Sequence, residues 1–205
     1  MPHVAGIPFE LLTTESDVWE VRDDGRSLVG HAPPGTDLYI NPGGEASTDA
    51  ASASSAPTLL GEVGDGDFTF SARVTVAFAG RFDAGVLLVW AGETHFAKFC
   101  FEYSPDDEPM VVSVVTRGVS DDSNAFTVEG STVWLRIART GRVYALHASL
   151  DGNRWVMVRV FALTEDVRGH RVGFEVQSPM GDGCLVTFDD IRFSRDTLLD
   201  LRDGS

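Results

Sequence analysis

Lys98 and Glu102 stand four residues apart in the run Lys98-Phe99-Cys100-Phe101-Glu102-Tyr103, and Lys98 is the one lysine of a chain that carries fifteen arginines. A carboxylate and a cation on one surface can do acid/base work, the cation tuning the carboxylate's pKa. They can equally orient a polar ligand through charge-assisted hydrogen bonds. Read as a strand, whose side chains alternate between faces, the run sorts Phe99, Phe101 and Tyr103 to one side and Lys98, Cys100 and Glu102 to the other. The first side belongs to a core. On the second, the two charges lie roughly 13 Å apart along the strand. They cannot pair with each other, so each needs a neighbouring strand, water or a ligand, because an unpaired buried charge is expensive. Arg117 is one candidate partner. Glu175 and Gln177, which alternate away from Val172, Phe174 and Val176, are others. If these strands are neighbours, Lys98, Glu102, Arg117, Glu175 and Gln177 line one face as a polar row, with Trp90 or Tyr39 as a stacking plane for a sugar ring. A solvated sheet face with structural ion pairs would read the same way.

Other chemistries find less support. Glycoside hydrolysis on a β-sandwich needs two carboxylates flanking the scissile bond, and the E-x-D-x-E string that supplies them in jelly-roll glucanases is absent. No catalytic residue is assigned; were the protein an enzyme, Glu102 and Lys98 would be its acid/base pair. A thiol nucleophile at Cys100 would need a base, and the sequence offers none. The five histidines show no metal-ligand spacing. The Asp-rich turns at 65–67, 106–108, 121–122 and 189–190 lack the calcium-loop pattern. No metal and no cofactor are expected.

The elements that would position these residues are almost all strands. Candidate strands run over residues 18–22 and 27–31, joined by Asp23-Asp24-Gly25 as a hairpin, then 37–40 after Pro33-Pro34-Gly35. From 67 onward Phe68, Phe70, Ala72, Val74, Val76 and Phe78 alternate with polar residues. Residues 85–90 form a continuous apolar run that belongs in the middle of a sheet. Strands follow at 96–103, 110–117, 132–139, 143–150, 154–163, 171–178 and 184–193. Residues 9–12 form a first edge segment, 41–57 an Ala/Ser-rich loop of the length that covers a site or is an insertion, and 194–205 a tail. The expectation is one domain over 1–205 with its core at about 10–193, built as a two-sheet antiparallel sandwich.

The balance of 31 acidic against 16 basic residues, a formal net charge of -15, repels phosphate backbones and anionic membranes. Nucleic acid and membrane are therefore not expected as partners; a carbohydrate or small polar ligand, or a protein partner, remains open. The first twelve residues have no signal-peptide pattern and no long apolar run occurs, which reads as cytoplasmic. Cys100 and Cys184, both inside strand-like runs, read as reduced buried thiols.

An ordered set of motifs points further. Gly66-Asp67-Phe68, Phe82-Asp83-Ala84-Gly85-Val86-Leu87, Lys98-x-x-x-Glu102-Tyr103, Val114-Val115-Thr116-Arg117-Gly118-x-Ser120-Asp121, Trp134-Leu135-Arg136, Ser149-x-Asp151-Gly152-x-x-Trp155, Val172-Gly173 and Gln177-Ser178-Pro179 together resemble the concanavalin A-like family typified by a yeast regulator of enolase. The resemblance spans roughly residues 10–193. It implies an all-β concanavalin A-like lectin/glucanase jelly roll with no established catalytic mechanism. The positions that match the family's signature are Asp83, Lys98, Glu102, Thr116, Arg117, Ser120, Asp121 and Ser178. Two departures stand out: Asp122 where the family usually has Trp, and the long 41–57 loop. Three functions stay open at this point: a non-catalytic binding or regulatory domain holding a carbohydrate on a concave sheet, an enzyme using Glu102, and a protein-interaction module.

Overall fold

The computed structural model describes residues 3–13, 15–44 and 51–205. In chain order its strands are β1 (Trp19–Arg22), β2 (Ser27–Ala32), β3 (Leu38–Tyr39), β4 (Ala53–Ser54), β5 (Thr58–Glu62), β6 (Phe68–Ala77), β7 (Ala84–Gly92) and β8 (His95–Tyr103). There follow β9 (Pro109–Arg117), β10 (Val119–Thr127), β11 (Thr132–Thr140), β12 (Val143–Ser149), β13 (Val156–Ala162), β14 (Arg171–Gln177) and β15 (Cys184–Ser194). Two short 3-10 turns flank β1, and no helix among the described residues is long and apolar enough to cross a membrane.

The strands form a seven-stranded sheet, β1-β2-β15-β6-β11-β12-β13, and a six-stranded sheet, β10-β9-β8-β7-β14-β5. All pairings are antiparallel. The chain passes repeatedly between sheets, from β5 to β6, from β6 to β7, from β10 to β11, and from β13 through β14 to β15. Each crossing turns the apolar side of a strand towards the other sheet, and the result is a jelly-roll sandwich.

β6 shows the period-2 rule at work. Phe68, Phe70, Ala72, Val74 and Val76 are fully buried, while Thr69, Ser71, Arg73 and Thr75 are half-buried on the other face. Facing them from the six-stranded sheet are Leu87, Val89, Phe99, Phe101, Val115, Phe174 and Val176. Aromatic edges interlock at the centre, with Phe70 and Phe174 5.3 Å apart and Phe174 and Phe188 4.8 Å apart. The apolar run 85–90 does lie mid-sheet, as β7 between β8 and β14.

Two strands of the main sheets are absent from the sequence reading. β5 pairs β14 at one edge of the six-stranded sheet, and β10 pairs β9 at the other. The 9–12 segment amounts to a single bridge between Leu12 and Leu60. The 41–57 loop contains a strand of its own, β4, paired with β3; residues 45–50 of that loop lie outside the described residues. The tail returns to the protein: Arg136 donates to the Gly204 carbonyl at 2.8 Å and His147 to that of Leu201 at 2.8 Å.

Gly85 lies at a close approach of the two sheets. A Cβ there would sit 2.5 Å from a methyl of Val186 and 2.6 Å from one of Val74, both stiff at χ1. Gly85→Ala is therefore expected to overpack the core and lower stability by about 1–3 kcal/mol; a urea midpoint equal to that of the parent would contradict the tight contact.

Candidate functional site

The face of the six-stranded sheet that points away from the core carries the polar row. β7 separates β8 from β14, with Lys98 opposite Leu88, Glu175 opposite Val86 and Gln177 opposite Ala84. The Lys98 ammonium crosses over β7 and donates to Gln177 Oε1 at 2.6 Å and to Asp37 Oδ1 at 3.2 Å, with Glu175 Oε1 at 3.8 Å. Gln177 is held in the right sense because its own amide donates to the Phe82 carbonyl at 3.0 Å. Lys98 is 2% exposed and Glu175 0%, so this is an interior charge cluster.

The electrostatics follow from burial. Desolvation alone would lower the Lys98 pKa, but the Glu175 carboxylate first, and then Asp37, outweigh it and hold the ammonium above its ordinary range. Neither Glu175 oxygen has a hydrogen-bond partner among the described residues. Burial accordingly pushes Glu175 up to about 7, against the pull of Lys98. Glu102 is half-buried on the same face and makes no hydrogen bond among the described residues; burial lifts it to about 8, with Lys98 offsetting part of the effect. Cys100 lies between the two, fully buried, its thiol pushed well up by desolvation, and Cys184 is pushed up to about 12 for the same reason. Both thiols are free and buried, as the sequence suggested, and neither is activated as a nucleophile.

What buries Lys98 is a strap. Residues 36–40 run across the outer face from β14 to β10. Thr36 bridges Ser178, Asp37 meets Lys98, and Ile40 exchanges two bonds with Ser120, its carbonyl accepting from Ser120 N–H at 2.8 Å and its N–H donating to Ser120 Oγ at 2.9 Å. Ser120 is in turn held by Thr116, hydroxyl to hydroxyl at 2.9 Å. Between these anchors Leu38 and Ile40 pack on Leu60, Leu88, Phe96 and Trp90. Beyond Lys98, Ala84, Val86, Cys100, Val112 and Val114 form a second apolar patch, also buried.

The structure keeps some of the expected site residues together and disperses others. Lys98, Glu175 and Gln177 converge, with Glu102 further along the same strand. Arg117 does not join them. It lies opposite His95, on the other alternation from Lys98, and its exposed guanidinium reaches the Ala162 carbonyl at 3.4 Å. Asp121 likewise points the other way and pairs with Arg159 at 2.9 Å; its neighbour Asp122, opposite Val114, is on the Lys98 alternation. Asp83 is a structural residue: fully buried, it accepts from the Ala79 and Gly80 backbone at 2.9 and 2.7 Å and from Ser178 Oγ at 2.6 Å, closing the turn before β7. Tyr39 sits half-buried in the strap.

Trp90 is the expected residue that meets open space. It stacks on Phe96, centroids 5.8 Å apart and planes 11° from parallel. It lines a cleft of about 280 Å³ with Leu12, Leu38, Leu60, Glu15 and Arg171, where Thr13, Ser54 and Thr58 add hydroxyls. Arg171 is its cross-strand neighbour. Asp37 and Arg171 were not singled out by sequence reasoning. Asp37 meets Lys98 across 61 positions, which no local pattern signals, whereas Arg171 follows from the alternation that already placed Glu175 and Gln177. No group of three or more His, Cys, Asp or Glu side chains among the described residues is placed to hold a metal ion.

Residues 13–196 match the family model described as a protein of unknown function, DUF1349. The chain belongs to the DUF1349 family. Among solved structures it is similar to a functionally unknown protein from Saccharomyces cerevisiae, at 24% identity and a TM-score of 0.77 over 92% of this chain and 97% of that one. The carbohydrate-binding module CBM66 from Bacillus subtilis matches at 13% identity and a TM-score of 0.57 over 91% and 97%. A GH43B protein of a Bacteroides ovatus xyloglucan locus matches at 12% identity and a TM-score of 0.71 over 94% of this chain but 38% of its own length. These likenesses establish the concanavalin A-like jelly roll. No curated protein matches.

Two outcomes follow from the cluster. Lys98→Met leaves Asp37 and Glu175 facing each other without their cation, and a loss of about 3–5 kcal/mol is expected at pH 8. The loss shrinks at pH 5, where Glu175 takes up a proton; urea unfolding at the two pH values reads it, and an equal loss at both would contradict the assignment. In the parent, Glu175 and Glu102 hold protons in the folded state that the unfolded chain, titrating near 4.5, has released. Their contribution is complete below pH 4.5 and disappears as pH rises through 7 to 8. Stability should therefore fall between pH 5 and 8, and Glu175→Gln should flatten that slope.

Proposed function

We propose that this domain is a non-catalytic binding module for a carbohydrate or sugar derivative, with its ligand seated in the Trp90–Arg171 cleft on the outer face of the six-stranded sheet. The observation that carries the reading is Trp90 itself. A half-buried indole, held flat against Phe96 at 11° and lining a cleft, is a fixed apolar plane with little conformational entropy to lose on binding. Hydroxyls of Thr13, Ser54 and Thr58, with the charged Glu15 and Arg171, supply the few polar groups that orient a ligand in such a site. At about 280 Å³ the cleft is at the small end of ligand pockets, which suits one sugar ring.

The role of Lys98 changes in this reading. With Gln177 and Asp37 as its partners and the strap above it, it does not touch ligand; it fixes the strap that supplies Leu38 to the cleft wall. The same enclosure argues against Glu102 and Lys98 as an acid/base pair, since the cation is committed elsewhere. The resemblance to a carbohydrate-binding module and to GH43 proteins supports a sugar as the ligand class.

A glycan array followed by calorimetry tests the proposal. Trp90→Ala is expected to weaken binding of any sugar that the parent retains by tenfold or more, with a lowered but still cooperative thermal transition from loss of the Phe96 stack. An array on which the parent retains no sugar would end this reading.

A further inference from the structure

Arg171 lacks the partners that the other enclosed arginines have. Among the described residues, Arg73 and Arg159 pair with Asp189 and Asp121, and Arg136 and Arg139 donate to backbone carbonyls. Arg171 is the one half-buried or buried arginine whose guanidinium has neither a hydrogen bond nor an ion pair there. Glu62 on β5 stands opposite it in register but makes no ion pair with it among the described residues. Its backbone is fixed between Glu62 and Trp90 in the sheet, and its side chain lines the Trp90 cleft.

A planar guanidinium beside an aromatic plane is a fork for a planar anion. We infer that the ligand of this cleft is an acidic sugar, carrying one carboxylate that Arg171 receives bidentately while the sugar ring lies on Trp90. The inference rests on the binding reading above and names its substrate class. Glu15, the one acid lining the cleft, sets the limit of one charge: it accepts from ring hydroxyls and repels a second anionic group or a dianionic phosphate. The net charge of -15 does not oppose the contact at this range, because charges more than about 8 Å away are largely screened at physiological ionic strength, whereas a bidentate pair forms at hydrogen-bond distance.

Calorimetry on the whole chain with small probes tests this directly. Methyl β-glucuronide should bind at least tenfold more tightly than methyl β-glucoside, and glucuronamide, a neutral isostere of the acid, should fall back to the glucoside's affinity; this comparison needs no variant. Arg171→Gln should remove the preference, bringing glucuronide and glucoside to equal affinity, with Arg171→Lys in between. Acetate alone should not bind measurably. Equal affinity for glucuronide and glucoside, a preference that survives Arg171→Gln, or tighter binding of glucose 6-phosphate overturns the acidic-sugar assignment and leaves the sugar-binding reading standing. Binding of none of these sugars, together with an array on which the parent retains none, overturns both.

Discussion

An ammonium group at 2% exposure has to be neutralised within the protein, and the outer face of the six-stranded sheet is arranged around that requirement. Lys98 is too far from Glu102 to use it and has no charged neighbour on β7. The two groups that meet it directly come from opposite directions, Gln177 from β14 and Asp37 from the strap. Because Asp37 belongs to a segment outside the sheet, satisfying the lysine means bringing that segment down. The ion pair and the Ser178 and Ser120 contacts then fasten residues 36–40 at three points across the strands. A buried ion pair of this kind contributes little net stability compared with apolar packing, but its loss is severe. In this fold it acts as a locating pin for the strap.

That location decides where a ligand can go. A jelly roll without the strap would offer a groove across the whole sheet. Here Leu38 and Ile40 fill the middle, and the remaining open volume lies at the β5–β14 side, beside Trp90 and Arg171. Glu175 belongs to the same logic. It is on the outer face yet wholly enclosed, without a single hydrogen bond to its carboxylate among the described residues, and it shares Lys98 with Asp37 rather than owning it. Its raised pKa is the consequence of burial, which Lys98 offsets only in part.

The sequence carried the fold well because periodicity is a local signal. The alternation of β6 and the continuous apolar run of β7 assign both strands their place before any coordinate is known. β10 escaped for a physical reason: Val119, Asp121, Asp122, Ser123, Asn124 and Thr127 are exposed on an edge strand, so no apolar face writes its period into the chain. β5 is short and follows directly on a small, polar stretch. The site was legible in part. Glu175, Gln177 and Lys98 fall on one face by alternation alone, whereas Arg117 ends its strand on the opposite parity, and the register puts it on the other side. Asp121, expected from the family resemblance, also lies on the other side, with Asp122 taking the position on the Lys98 side.

Asp122 also bears on why the aromatic contribution must come from Trp90. The family resemblance would put a tryptophan beside Ser120-Asp121; this chain has a carboxylate there, and its pKa is raised by desolvation, only partly countered by Lys98. Replacing an indole by an acid removes a stacking plane from the β9–β10 side of the sheet and adds negative charge next to Glu102. Both changes make that side a poorer surface for a sugar ring and a poorer one still for an anion. At the opposite side the balance is reversed: an aromatic plane backed by Phe96 sits next to an arginine with no internal partner among the described residues. On the proposed function, the asymmetry between the two sides of one sheet, acidic at β10 and carrying Trp90 and Arg171 on β7 and β14, favours the Trp90 cleft over the Glu102 end.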